Sequence, residues 1–269
     1  MKKLFISLAA IALLASCGNK QKTNNEAVEE EKSFEQEQIE ANIKLQIDSL
    51  AAEFTKMGEV PFMQSLREGK IVLTEEEAQV KPEYLISPDS LDELVTLSQK
   101  YRAVAMLDAD KTIAKAYGMP ADGYEAAIKQ LVVDIDDPAF KIFTEATDTL
   151  NHEELIKKFY EAEDEAGRIN FFWETTCAYL VEELYILSQD PNNKFIECFT
   201  DENASNITYR TVLFLDALDR LKEYSPELNE LSDALTPLKK LNAIDVAQLK
   251  EQLAEVNEEI SEIRNNLLR

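Results

Sequence analysis

Histidine, glycine and proline are scarce in this sequence, and each scarcity removes a class of chemistry. Of 269 residues, one is histidine, six are glycine and eight are proline. A single imidazole, His152, excludes the paired Glu-x-x-His motifs of di-iron bundles and the His-Glu-x-x-His zinc helix. A serine triad would have to use His152, and no Gly-x-Ser-x-Gly elbow is present to carry the nucleophile. Six glycines leave no phosphate-cradling loop and too few tight turns for a doubly wound α/β fold. No catalytic residue, cofactor site or metal site is therefore predicted, and an enzymatic role is disfavoured.

Helix formers are abundant. Ala, Leu, Glu, Lys and Arg supply 123 of the 269 residues, a composition of long helices rather than sheets. Apolar residues reach 45 %, enough for a sizeable core. The predicted fold class is all-α, a bundle of about seven to nine helices around a long central one.

At the amino terminus Lys2 and Lys3 precede an apolar run, Leu4 to Leu14, followed at once by the polar Gly18, Asn19, Lys20 and Gln21. A membrane span needs about 20 apolar residues, so the run reads as a secretory signal. It ends in Leu14, Ala15, Ser16 and Cys17, which resembles the lipobox of bacterial lipoproteins. The resemblance implies removal of residues 1–16, diacylglycerol on the Cys17 thiol and acylation of the new amino group. Each buried methylene contributes about 0.8 kcal/mol, so two or three chains make a lasting anchor. The resemblance also places the protein in the bacterial envelope. With Gly18 rather than Asp after the cysteine, it points to the outer membrane, with the body facing the periplasm.

Residues 17–32 then read as the lipidated cysteine and a flexible acidic tether with a reach on the order of 20 Å. Residues 33–269 read as one helical domain, at most two packed halves meeting near residue 150. Loss of Lys2 and Lys3 with the signal takes the formal charge from −24 to −26. Such a surface repels nucleic-acid phosphate and anionic lipid. The expected partners are the membrane, through the lipid on Cys17, and another envelope protein, with no nucleic acid.

Helix limits are marked by caps. Ser33 with Gln36 starts a helix that Gly58 ends, and Ser87 with Pro88 starts one running to Tyr117. Shorter helices are predicted from about Ala121 to Val133 and from Pro138 to Thr149. Asn151 with Glu154 opens the longest, through Gly167 to Gln189. It is apolar on nearly every face between Ile169 and Leu187, the pattern of a helix buried all round. Further helices are expected over Ile207 to Tyr224, Pro226 to Leu235 and Pro237 to Leu241. The last begins after Asp245 with its partner Gln248.

Cys177 and Cys198 would lie about 12 Å apart along a hairpin at 1.5 Å per residue, too far for a disulfide, so two free thiols are expected. Asp108, Ala109, Asp110, Lys111 and Thr112 resemble the Asp-x-Asp-x-Thr motif of haloacid-dehalogenase phosphatases. The resemblance implies an Asp108 nucleophile and an Asp110 general acid. However, the helical period of Leu94, Leu97, Tyr101, Val104 and Ala105 runs into the motif, and the glycine-rich turns of that fold are missing. Asp134, Asp136 and Glu145 take calcium-loop spacing, but Pro138 and Ala139 stand where an oxygen ligand and a glycine are needed.

Two features bear on binding. Val246, Leu249, Leu253, Val256, Ile260, Ile263 and Leu267 form a narrow seam, expected to pack on its own neighbours, with docking of another protein as the alternative. Trp173, Glu174, Tyr179 and Tyr185 are the candidate lining of an apolar-ligand cavity. Glu174 reads there either as a carboxyl of raised pKa or as a residue that reaches solvent or pairs with a lysine.

Overall fold

The computed structural model describes residues 34–57, 59–90, 94–141, 152–189, 194–222 and 228–269, which among them form ten α-helices and no strand. The helices are α1 (Phe34–Lys56), α2 (Pro61–Arg67), α3 (Leu97–Ala116), α4 (Asp122–Ile135) and α5 (His152–Glu165). They continue with α6 (Ile169–Gln189), α7 (Asp201–Leu221), α8 (Asn229–Ala234), α9 (Val246–Glu255) and α10 (Asn257–Leu267). The fold is an all-α bundle with α6 at its centre. Helix α3 packs along α6, with α5, α7, α9 and α10 on its other sides, while α1 lies outside against α5 and α7.

Burial explains that order. Helix α6 is buried around almost its whole circumference, from Phe172 to Leu187. A chain of rings fixes the layers. The Trp173 ring lies 5.2 Å from that of Phe172 and 5.6 Å from Phe214 on α7, whose ring meets Phe54 of α1 at 5.5 Å. At the amino-terminal end of α6, Phe171 stacks on Tyr101 of α3 at 4.4 Å. The seam of α9 and α10 is internal, with Leu249, Leu253, Val256, Ile260, Ile263 and Leu267 all buried. It packs on its own neighbours and is not a surface for a second protein.

Several predicted limits are corrected. The helix expected from Asn151 to Gln189 is two helices, because Gly167 adopts φ +70°. Its neighbours close a helix end there: the Gly167 N–H donates to Asp164 O and the Arg168 N–H to Glu163 O, a glycine-terminated C-cap. Helix α3 starts at Leu97 rather than Ser87, because Thr96 and Gln99 form a capping box; Pro88–Ser90 is a separate 3-10 turn. Helix α7 starts six residues before the apolar period becomes visible, at the capping box of Thr200 with Asn203. The segment expected as a helix from Pro237 is the 3-10 turn Thr236–Lys240. The last helix breaks at Val256, whose φ −101°, ψ 12° leaves the helical region. With the short α2, these breaks raise the count above the expected range. Ser33, Gly58, Asn151 and most of the helix predicted from Pro138 to Thr149 lie outside the described residues, as do Cys17 and the segment before Phe34.

Candidate functional site

The four residues picked from the sequence all stand on α6, but each faces a different neighbour. Trp173 is enclosed by Phe172 and Phe214, and its buried Nε1 has no hydrogen-bond acceptor among the described residues. Glu174 is buried and accepts from Nε of Arg102 on α3, so it neither reaches solvent nor pairs with a lysine. The Tyr179 hydroxyl accepts from Arg67 Nη2 at 2.7 Å and donates to Glu59 at 3.1 Å. The Tyr185 ring lies 4.1 Å under the Arg264 guanidinium and 6.0 Å from the ring of Tyr84. The four do not converge on one space.

What the positions share is a pattern of buried acids met by arginines from other helices. Glu174, Glu182 and Glu183 of α6 are all buried, at 1 %, 0 % and 0 % exposure. A carboxylate taken out of water costs several kcal/mol, so each must find a cation or keep its proton. Glu182 finds Arg264 of α10, which donates to it through Nε at 2.8 Å and Nη2 at 2.7 Å. Asp110 of α3 enters the same cluster, 3.6 Å from Arg264 Nη2, with Oδ2 accepting the Ile86 N–H at 2.7 Å. Burial, and then the charge of Glu182, raise Asp110 well above the ordinary carboxylate range; Arg264 opposes them.

A second cluster repeats the arrangement. Asp137 and Glu163 share Arg168, whose Nη2 donates to Asp137 and whose Nε lies 3.5 Å from Glu163. Tyr101 donates to Asp137, and its oxygen lies 3.3 Å from Glu163. Burial, helped by the Asp137 charge, pushes Glu163 up to about 8. Glu183 is a third case: among the described residues neither oxygen makes a hydrogen bond of good geometry, and the Val60 N–H only partly offsets its burial. Burial lifts it to about 8 against the pull of Arg210, with Glu59 adding to the rise.

The phosphatase-like motif is helical, as its period predicted. Asp108 lies at the surface edge, 2.8 Å from Arg67 and 2.6 Å from Lys111. Burial opposes its charge, but the two cations outweigh it and bring it down to about 2. Asp110 points to Glu182 and Arg264 instead, so the two acids do not face one phosphoryl group. Asp136 caps α4 in the left-handed region at φ 49°, while Glu145 of the calcium-like spacing lies outside the described residues. Cys177 is a buried thiol and is not bridged to Cys198, whose partly buried Sγ–H donates to the Phe195 carbonyl at 2.8 Å.

Of the buried acids, Glu174 was marked in the sequence and Asp110 only within the phosphatase-like motif, whereas Glu182, Glu183, Asp137 and Glu163 were not. The signal was available for two of them. Glu182 and Glu183 sit in a helix recognised as buried all round, and Arg264 sits between Ile263 and Leu267 in the apolar seam. No family model matches the chain, and neither does any curated protein or solved structure.

Proposed function

We propose that the protein is a lipid-anchored envelope module, held at the outer membrane through Cys17, whose helical body binds another envelope protein and catalyses no reaction. The anchor rests on the lipobox-like Leu14 to Cys17. The binding reading is carried by one surface feature. Tyr209 and Val212, one turn apart on α7, are about half exposed, and Ile244 is 68 % exposed. The Ser205 hydroxyl donates to the Ile244 carbonyl at 2.9 Å, one turn before Tyr209 on α7, which holds the Ile244 backbone at the start of the same helix face. Glu53 of α1, which accepts from the Tyr209 hydroxyl, and Asp216 flank them. An apolar centre with a polar rim is how binding patches are built.

In cells, Cys17→Ala is expected to abolish palmitate labelling and either release the protein from membranes or leave it unprocessed; normal processing and retention would end the anchor reading. Cross-linking in intact cells tests the binding half. Val212→Glu combined with Ile244→Glu is expected to remove the cross-linked species while leaving the fold intact, and persistence of that species would reject the patch.

A second reading is a carrier of an apolar ligand around Trp173, and the Nε1–H there, which meets no acceptor among the described residues, favours it: such a donor costs about 1–3 kcal/mol unless something accepts it. Trp173 is the single tryptophan, so its fluorescence reports this site alone. The module reading expects no change when fatty acids or other apolar ligands are added; a saturable shift would favour the carrier.

A further inference from the structure

We infer that the packing of α3 against α6 is gated by a proton: Asp110 and Glu182 share one across the joint, and its loss in alkaline solution loosens the contact between the two helices. The count of charges requires it. Two carboxyls, both at 0 % exposure, face one guanidinium. Arg264 is committed to Glu182 by three hydrogen-bond contacts of 2.7 to 3.0 Å, which marks Glu182 as the ionised member. Asp110 lies farther from that cation, at 3.6 Å.

Among the described residues the surroundings supply no second cation. Asp110 Oδ2 accepts the Ile86 amide, Oδ1 has no donor among the described residues, and Asp110 faces the Glu182 carboxylate across the Arg264 Nη2 that they share, at 3.6 and 2.7 Å. Two acceptors in contact need a proton between them, so neutral Asp110 donates to Glu182. From the other elements packed on the site come Tyr124 of α4 and Tyr185 of α6, both held neutral: burial raises Tyr124 to about 12, with Asp110 and Glu182 adding to it, and raises Tyr185 against Arg264. Removing the proton leaves two buried carboxylates on one arginine, and the uncompensated charge can be relieved only by water entering between α3 and α6.

Asp110→Asn tests this, because the amide keeps the shape and a donor toward Glu182 but cannot ionise. Urea unfolding of the full chain is compared for the two proteins from about pH 5 to about pH 9. The ratio of the variant's folding constant to that of the unmutated protein is expected to rise with pH, by up to about tenfold per unit for one linked proton. A ratio that stays constant across this range would overturn the inference. Infrared spectroscopy gives an independent readout on the unmutated protein, whether or not the variant folds. With isotope-labelled aspartate, a protonated-carboxyl stretch carrying the label is expected near neutral pH. Its absence would also overturn the shared proton.

Discussion

Among the described residues the buried carboxylates of α6 are met by arginines from other helices, and the cost of removing such an arginine depends on how much water can replace it. Glu174 has almost no exposed surface and Arg102 has little. Arg102→Met is therefore expected to strand a buried charge and lower stability by about 3–5 kcal/mol in urea unfolding. The Lys44–Asp164 pair between α1 and α5 spans 2.8 Å but is roughly one-third exposed on both sides, so Lys44→Met should cost less than about 1 kcal/mol. The acids also set the pH response. Glu163 and Glu183 have folded values raised to about 8, above an unfolded value of about 4.3. The folded state thus binds more protons between these limits, and stability falls as pH rises through the window, by at most about 1.4 kcal/mol per unit for each group. Asp108, lowered to about 2, acts in the opposite sense: its contribution is present above its unfolded value near 3.9 and lost as pH falls toward 2. Urea midpoints should therefore peak on the acid side of neutrality, near about pH 5, and decline toward pH 8. A maximum at or above pH 8 would mean that these carboxyls are ionised in the fold.

Among the helices, amphipathic period and caps differ in what they make legible. Asp245 and Gln248 mark the start of α9 in the sequence, and the structure shows Asp245 accepting the Gln248 N–H at 2.8 Å. The caps of α3 and α7 were equally present, as Thr96 with Gln99 and Thr200 with Asn203, but the apolar period of Leu94 and Leu97 runs through the first and a polar first turn follows the second, so apolar spacing marks neither. Gly167 was read through because the apolar positions on its two sides stay in helical phase; what interrupts the helix is a backbone angle, to which side-chain period is blind. A Cβ at Gly167 would meet nothing within 4 Å, so only the left-handed backbone resists substitution. Gly167→Ala should cost on the order of 1 kcal/mol in thermal or urea unfolding and should leave helix content unchanged. A gain in helix by circular dichroism would mean that α5 and α6 had fused. The buried acids were illegible for a different reason. A charge of −24 reads as solvated surface, and composition does not say which carboxylates lie inside; only pairing across elements, such as α6 with α10, decides that.

For the molecule as a whole, the surface charge and the buried pairs respond differently to salt. The net −24 repels itself across an exposed surface where screening is effective, with a Debye length of about 10 Å at 0.1 M. The pairs around α6 are out of reach of salt. Added sodium chloride should accordingly raise the melting temperature, whereas a fold held by surface ion pairs would lose stability. Seen at this scale, the all-α class was the most legible property, because it depends on composition summed over the whole chain. The arginine that neutralises Glu182, by contrast, stands 82 residues after it in the sequence. During synthesis the centre of α6 is complete long before its counter-charge exists. A chain ending at Glu255 should for that reason fail to unfold cooperatively in urea. Until α10 has been made, the buried face of α6 lacks the cation that meets Glu182, so closure of the body waits on a helix 82 residues farther along the chain.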